Sequence, residues 1–421
     1  MKKYNLGFVL AVFLMGSLWG CGEEQKDTYI EGTDYQYMYE DLERLFPNQA
    51  KGAEGYYMLN GKFIYYIDKE DNIVAPLCNK PNCLHNKETQ EERYQSCNGY
   101  VDNNGTTGIG YCNGYIYYVI CNWETDNQYQ LYRVKEDGSV KEKIYQWDNS
   151  TIKQWIVHRN KFYYVEVTYT TQENGEVAEH YSVKELNLKN PVHGKEKVIY
   201  QPEENLVIQD IAWPAAYGNH FYFDVFAYRE SKEDITDENY LEYLYMKTFE
   251  YDLSKKQIHE IEAPDNGFVQ KVTFYQDKLL ILPWNPEKQT GEQQSCYITE
   301  LDGSNSKVFM EDTLEGENLF WDGAYLYVGN SGMISEENNI QQNYKVYNEN
   351  LEQIDEIATP YAGTGDPAIG DRFGMFLVFS GENEDEWTIE YFDKATLGQY
   401  QGKAFSTNVI AQMEYQEFEK E

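Results

Sequence analysis

Four side chains able to hold a metal ion or to form a disulfide crowd into one short stretch: Cys78, Cys83, His85 and Cys97, spaced C-x4-C-x-H-x11-C. Three thiolates and one imidazole form the donor set of a tetrahedral zinc site. In an oxidising compartment the same cysteines would instead close a disulfide that staples a loop, and buried free thiols are the third reading. The spacing is looser than the CxxC pair of a zinc knuckle and lacks the adjacent Cys-His of a c-type haem attachment, so residue types alone leave all three open. The local staple is the expectation carried forward. Cys112 and Cys121 fall in neighbouring strand-like runs, where they either pair or pack, and Cys296 stands apart.

The search for catalytic spacings is mostly negative. The chain contains no HExxH, no phosphate-binding Gly-rich loop and no GxSxG, and Gly329-Asn330-Ser331-Gly332 lacks the spacing such a motif requires. His158, His220 and His259 lie in or beside strand-like runs and read as satisfied structural histidines. Two acidic clusters, Glu233, Asp234, Asp237, Glu238 and Glu382, Glu384, Asp385, Glu386, have the chemistry for Ca²⁺ or for a carboxylate acid/base pair. Solvated loop charge is the plainer reading in so acidic a chain. No motif demands a cofactor; structural zinc at the cysteines and calcium at the carboxylates are the candidate ions.

The elements that would position these groups repeat along the chain. An Asn or Asp at a tight turn recurs between two aromatic-rich runs, at Asn60, Asn113, Asn160, Asn219, Asp277, Asp322 and Asp371. The intervals run from 45 to 59 residues, the scale of propeller blades stretched by loops. A second hairpin follows within most units, as in LYRVKEDGSVKEKIY (131–145) and YITELDGSNSKVF (297–309), each turning at Asp-Gly. The unit is therefore a four-stranded meander, and the fold class is all-β: a β-propeller of seven blades, with six as the alternative. The first unit, 55–78, reads as two or three strands, and the tail 408–418 is expected to complete it, closing the ring with strands from both termini. No Pro/Ser-rich linker interrupts 55–418, which is read as one domain.

Meander geometry puts the short A–B and C–D turns at one end and the B–C and D–A connections at the other. The long connections 122–130, 168–180, 228–243, 284–295 and 330–343 all belong to the second set, as does the Cys-rich insertion. Trp123, Trp284 and Trp387 close B–C loops, and Trp147, Trp155 and Trp213 fall in D–A connections, so all six are expected at the elaborated end. Trp123, Trp284 and Trp387 are the candidate ligand contacts. Trp321 lies within a strand and reads as core.

Composition narrows the partners. The chain carries 71 acidic residues against 35 Lys+Arg, a net charge of −36. Nucleic acids are polyanions held through counterion release, so they are excluded as partners, and a polybasic membrane patch is excluded with them. With 16% aromatic residues, 40 of them Tyr, the chain nevertheless has ample surface to bury.

Residues 1–20 carry Lys2 and Lys3, an apolar run from Leu6 to Leu18, and then Leu18-Trp19-Gly20-Cys21 before a polar tract. This resembles the signal of bacterial lipoproteins, in which the cysteine is lipidated and becomes the mature N-terminus. The resemblance implies lipid attachment at Cys21 and a protein on the outer face of the bacterial cytoplasmic membrane, with 21–54 as its lipidated N-terminus and linker. The repeat pattern and the segment PLCNKPNCLHNKETQEERYQSCNGY resemble surface lipoproteins of Gram-positive bacteria that carry propeller domains of unknown function. The expected activity is non-catalytic binding or scaffolding toward a glycan, peptide or protein partner. An extracytoplasmic carboxylate-dependent glycan hydrolase or lyase is the alternative, supported by fold analogy alone.

Overall fold

The aromatic and β-branched runs form strands, and nearly every group of them closes into its own antiparallel sheet. The computed structural model describes residues 27–39, 48–68, 73–87, 90–102, 108–122, 128–189, 191, 196–229, 235–236, 239–264, 267–286, 292–314, 317–330, 343–360, 370–380 and 386–414. Blade 1 is β1 (Gln49–Lys51), β2 (Gly55–Asn60), β3 (Phe63–Asp68) and β4 (Val74–Pro76). Blade 2 is β5 (Gly110–Cys112), β6 (Tyr115–Asn122), β7 (Gln128–Lys135) and β8 (Lys141–Trp147). Blade 3 is β9 (Ser150–His158), β10 (Lys161–Thr171), β11 (Val177–Asn187) and β12 (Lys197–Tyr200). Blade 4 is β13 (Val207–Tyr217), β14 (His220–Tyr228), β15 (Leu244–Asp252) and β16 (Gln257–Ile261). Blade 5 is β17 (Phe268–Tyr275), β18 (Lys278–Trp284), β19 (Gln293–Thr299) and β20 (Lys307–Leu314). Blade 6 is β21 (Glu317–Trp321), β22 (Leu326–Asn330), β23 (Asn343–Tyr347) and β24 (Gln353–Ala358). Blade 7 holds β25 (Gly374–Ser380) and β26 (Glu386–Asp393); β27 (Lys403–Ala404) then adds a parallel edge to blade 6, and β28 (Asn408–Glu414) returns to blade 7.

First strands of consecutive blades lie side by side, β1 with β5, β5 with β9, and so on to β21, and form the inner wall of a seven-bladed propeller. Three sequence expectations change. The first blade begins at β1, so the Asn60 turn joins its second and third strands and not its first two. The tail strand β28 does not complete blade 1. It pairs with the open edge of β26, because β1 already supplies the fourth strand of blade 1. The expected loop 168–180 is mostly strand: β10 and β11 pair without interruption from Lys161↔Asn187 to Thr171↔Val177.

Blades 7 and 1 are joined by side chains. The Tyr56 and Phe376 rings pack at 4.8 Å, Tyr56 donates to Asp371 at 2.9 Å, and Gln49 Nε2 donates to the Phe376 carbonyl at 3.2 Å. Residues 27–39, expected to be linker, form a strap across the tight-turn end. The Asn113 amide donates to the Gly32 carbonyl, Arg159 to Thr33, and Gly370 to Met38. The strap is fixed by the buried Arg159–Asp34 pair at 2.8 Å, and Tyr37 packs on Tyr217 and Phe274.

Candidate metal centre

The chain leaves blade 1 at Leu77 and returns at Val101, pairing on both sides with β3: Leu77 donates to the Ile64 carbonyl, Ile64 to Gly99, and Val101 to Lys62. Three local devices then turn the cysteines inward. Lys80-Pro81-Asn82-Cys83 is a turn closed by the Cys83 amide on the Lys80 carbonyl, with Pro at its second position and Asn82 at φ 63°. That is the signature of a type II turn, and it folds Cys83 back beside Cys78. His85 also sits in the left-handed region, at φ 56°. The short helix Glu91–Gln95 ends with the Cys97 amide on the Tyr94 carbonyl, which delivers the third thiol.

The result is a convergent tetrad. One donor atom from each of Cys78, Cys83, His85 and Cys97 lies within 4.8 Å of every other, with Cys97 Sγ 3.6 Å from His85 Nδ1. The apolar floor consists of Phe63, Tyr65, Tyr94 and Tyr100. The staple expected from sequence is not formed: Cys78, Cys83 and Cys97 are free thiols, as are Cys112, Cys121 and Cys296 in the core. Cys112 and Cys121 pack and do not pair.

Main-chain amides aim at these sulfurs. Burial works to raise the Cys78 thiol, but amides of Lys80 and Asn98, with Cys97 and Cys83, outweigh it and hold the group below the ordinary thiol value. Burial, reinforced by Cys78, pushes Cys97 up to about 12, against an amide bond from Gly99. Burial lowers His85 and so favours the neutral imidazole that ligates metals.

The insertion also touches blade 2. The Asn98 side chain donates to the Gly138 carbonyl at 2.7 Å, the Asn79 amide reaches the same carbonyl at 3.3 Å, and Lys141 Nζ donates to the Tyr100 carbonyl at 2.6 Å. Gly138 has φ +68°, and a Cβ there would sit 2.8 Å from the Cys78 nitrogen, so only glycine fits. The insertion thus packs on a C–D turn of the next blade and does not stand free among the long connections.

The tryptophans divide. Trp147 and Trp155 belong to β8 and β9 and are buried, Trp147 donating to Glu196 at 2.9 Å and Trp155 stacking on Phe162; they pack between blades and correct the loop assignment. Trp321 is core, as expected. Trp284 ends β18 half-buried against Phe268, and Trp387 lies half-buried in β26. Trp213 is 43% exposed on the inner strand β13, at a bulge with φ 48°, its amide held by Gln154 Oε1 at 2.7 Å. Trp123, the lipidation candidate Cys21, the acidic cluster Glu233, Asp234, Asp237 and Glu238 and residues 382–385 lie outside the described residues, and only the backbone of Glu386 is described. His158 and His220 are buried and hydrogen-bonded, whereas His259 is exposed on β16.

No family model matches the chain, and no curated protein matches it either. Among solved structures it is similar to a prolyl endopeptidase, at TM-score 0.52 and 10% identity, over 89% of this chain and 50% of that one. It is also similar to a puromycin hydrolase complexed with PGG, at TM-score 0.50 and 8% identity, over 91% and 56%. An oligogalacturonate lyase in complex with manganese gives TM-score 0.47 and 12% identity, over 92% and 90%. The chain spans about half the length of the first two, and at these identities the likeness is one of fold: this protein is a β-propeller.

Proposed function

We propose that the chain is a lipid-anchored β-propeller on the outer face of the bacterial cytoplasmic membrane that binds a glycan, peptide or protein partner without chemistry of its own. The observation that carries this reading is the strap: residues 27–39 occupy the tight-turn end, and among the described residues no such segment crosses the other end of the ring. Cys21 precedes Asp27 by six residues, a reach of about 20 Å at full extension. An acyl chain on Cys21 therefore holds the strapped end toward the membrane and turns the long connections outward. Trp284 with Phe268 at that outer end, and Trp213 on the inner wall, are the contact residues of this reading. A left-handed backbone at a non-glycine residue costs about 1–3 kcal/mol, and such strain concentrates where ligands are gripped. The Cys78, Cys83, His85 and Cys97 tetrad takes a structural, metal-holding part, because four protein donors leave no coordination position open to substrate.

The test is binding of the full-length protein, solubilised in detergent, to glycan and peptide arrays, repeated with Trp213→Ala and Trp284→Ala. Each substitution is expected to weaken capture by about 1–3 kcal/mol with little change in melting temperature. Undiminished capture by the double variant would remove these residues from the site, and cleavage of a captured glycan would replace the binding reading with the hydrolase or lyase one.

A further inference from the structure

The tetrad supports a more specific statement, which rests on the metal-holding reading above and goes beyond it in naming the ion and what the ion holds together. We propose that Cys78, Cys83, His85 and Cys97 bind one Zn²⁺ in a closed tetrahedral site, and that this ion clamps the seam between blades 1 and 2.

The donor set decides the ion. Three sulfurs and one imidazole nitrogen suit Zn²⁺, while Ca²⁺ and Mg²⁺ demand oxygen ligands that the tetrad lacks. The geometry agrees. Zn–S of about 2.3 Å and Zn–N of about 2.0 Å at tetrahedral angles place sulfur and nitrogen about 3.5 Å apart, and the Cys97 Sγ to His85 Nδ1 distance is 3.6 Å. A disulfide would bring two sulfurs to about 2.05 Å and leave the third thiol and the imidazole unused. The surroundings fit as well. Amides donate to sulfur from the residue two places after the cysteine, Lys80 to Cys78 and Gly99 to Cys97, and Asn98 adds a second bond to Cys78. Such outer hydrogen bonds orient and stabilise ligating thiolates. Zinc with three thiolates carries one net negative charge, and the half-buried Lys141, which donates to the Tyr100 carbonyl at 2.6 Å and is lowered by burial to about 8 against the pull of Cys97 and Cys78, is the nearby cation that offsets it. Binding replaces up to three thiol protons, which leave to solvent.

The clamp follows from where the ligands sit. Cys78 lies two residues beyond the end of β4, Cys97 precedes the Gly99–Val101 return to β3, and Asn98 and Asn79 grip the Gly138 carbonyl of blade 2. Fixing Cys78 against Cys97 therefore fixes Asn79 and Asn98 on Gly138. Blade 1 has strands of only three to six residues, and the clamp adds to the buried contact its inner strands make with blade 2 through Tyr57 and Tyr111.

The experiment uses the full-length protein, purified in detergent without added metal. Elemental analysis and thiol titration are expected to give one zinc per chain with Cys78, Cys83 and Cys97 reduced, and Cys83→Ser to lower zinc occupancy at least about tenfold. Hydrogen exchange with and without a strong chelator needs no variant. Removal of zinc is expected to deprotect 77–101 and 136–141 together and to spare 370–380. A disulfide among the three cysteines with no metal overturns both the metal-holding reading and the zinc clamp. A different bound metal, or deprotection of 77–101 alone with 136–141 unchanged, overturns the clamp and leaves the metal-holding reading standing.

Discussion

The two seams that flank blade 1 solve one problem in different ways. Toward blade 7 the contact is ordinary core: Tyr56, Met58 and Ile67 pack on Phe376 and Ile389, with Tyr39 of the strap in the same cluster. Polar ties finish it, Lys51 to Asp371 at 3.1 Å and Gln49 to the Phe376 carbonyl at 3.2 Å. Toward blade 2 the inner strands also pack, through Tyr57, Tyr111 and Ile116. The outer part of that seam rests instead on an excursion of about 25 residues in which the Cys78, Cys83, His85 and Cys97 donors converge beside the Phe63, Tyr65, Tyr94 and Tyr100 rings. The first seam draws its stability from apolar area, and the second, on the zinc proposal, draws part of it from ligand convergence. They should respond to different insults.

The sharpest way to break the comparison is to empty the first seam. Phe376 is 2% exposed, and its ring meets Tyr56 and Tyr391. Phe376→Ala is expected to cost about 3–5 kcal/mol, since the strands on either side cannot collapse into the void. Chemical denaturation reads the loss, and metal content per folded chain should stay as in wild type. A fall in metal content with Phe376→Ala would mean that the seams are coupled and the contrast is false.

Next in size is an acid effect on the strap, which reaches both seams, through Gly32 on the Asn113 amide of blade 2 and Met38 on the Gly370 amide ahead of blade 7. His158 is fully buried; its Nδ1 accepts the Tyr35 amide at 3.0 Å, so Nε2 carries the proton and donates to the Gly218 carbonyl at 2.9 Å. Burial lowers its pKa to about 4, opposed by Asp34 and assisted by Arg159 and His220. Below about 6.5 the unfolded chain takes up a proton that the folded one refuses. Stability is therefore full above pH 6.5 and declines as pH falls toward 4, by about 3 kcal/mol from this group. Wild type and His158→Gln should differ by that slope, whatever metal loss in acid contributes to both. Parallel pH profiles for the two proteins would show that the imidazole does not carry the effect.

The contrast also explains which parts were legible in sequence. Blade number follows from a local signal, an Asn or Asp turn between aromatic runs, and such turns need no tertiary information. The strap was illegible because its partners are distant: Asp34 pairs with Arg159, and Asp27 with His220, at separations no periodicity records. Blade 1 was misread at both edges for a related reason. Gln49–Lys51 is too short for a pattern, and the edge that β28 joins is set by which strand is left unpaired. At the metal centre the residues were visible but their convergence was not. The available clue was Lys80-Pro81-Asn82-Cys83, whose Pro-Asn pair specifies the turn that brings the first two thiols together. Trp147 falls just past the run 131–145 and Trp155 just ahead of the run into the Asn160 turn, so sequence assigns both to connections; their burial follows from β8 extending later and β9 starting earlier than those runs.

The smallest predicted effect tests whether the strap is uniform along its length. At its outer end Asp27 meets His220 Nε2 at 3.0 Å, while Glu250 holds Nδ1 at 2.8 Å. Burial alone would lower His220, but the hydrogen bonds to Glu250 and Asp27 outweigh it and the protonated ring is favoured. A base whose folded pKa is raised contributes its stability below the unfolded value, near 6.5, and loses it as pH climbs through the folded one. Asp27 is 58% exposed, so solvent screening keeps the contribution below about 1 kcal/mol. Asp27→Asn should accordingly leave the melting temperature nearly unchanged at any pH. Its signature is local: hydrogen exchange in residues 27–34 should speed up from pH 6 to pH 8.5 in wild type beyond the intrinsic rate, and much less in the variant. Residues 35–39, seated on Tyr217, Phe274 and the Gly370 amide, should stay protected in both. Equal protection of 27–34 in the two proteins at pH 6 would mean that Arg159 and Asp34 alone hold that end, and that the strap has one fixed point there, not two.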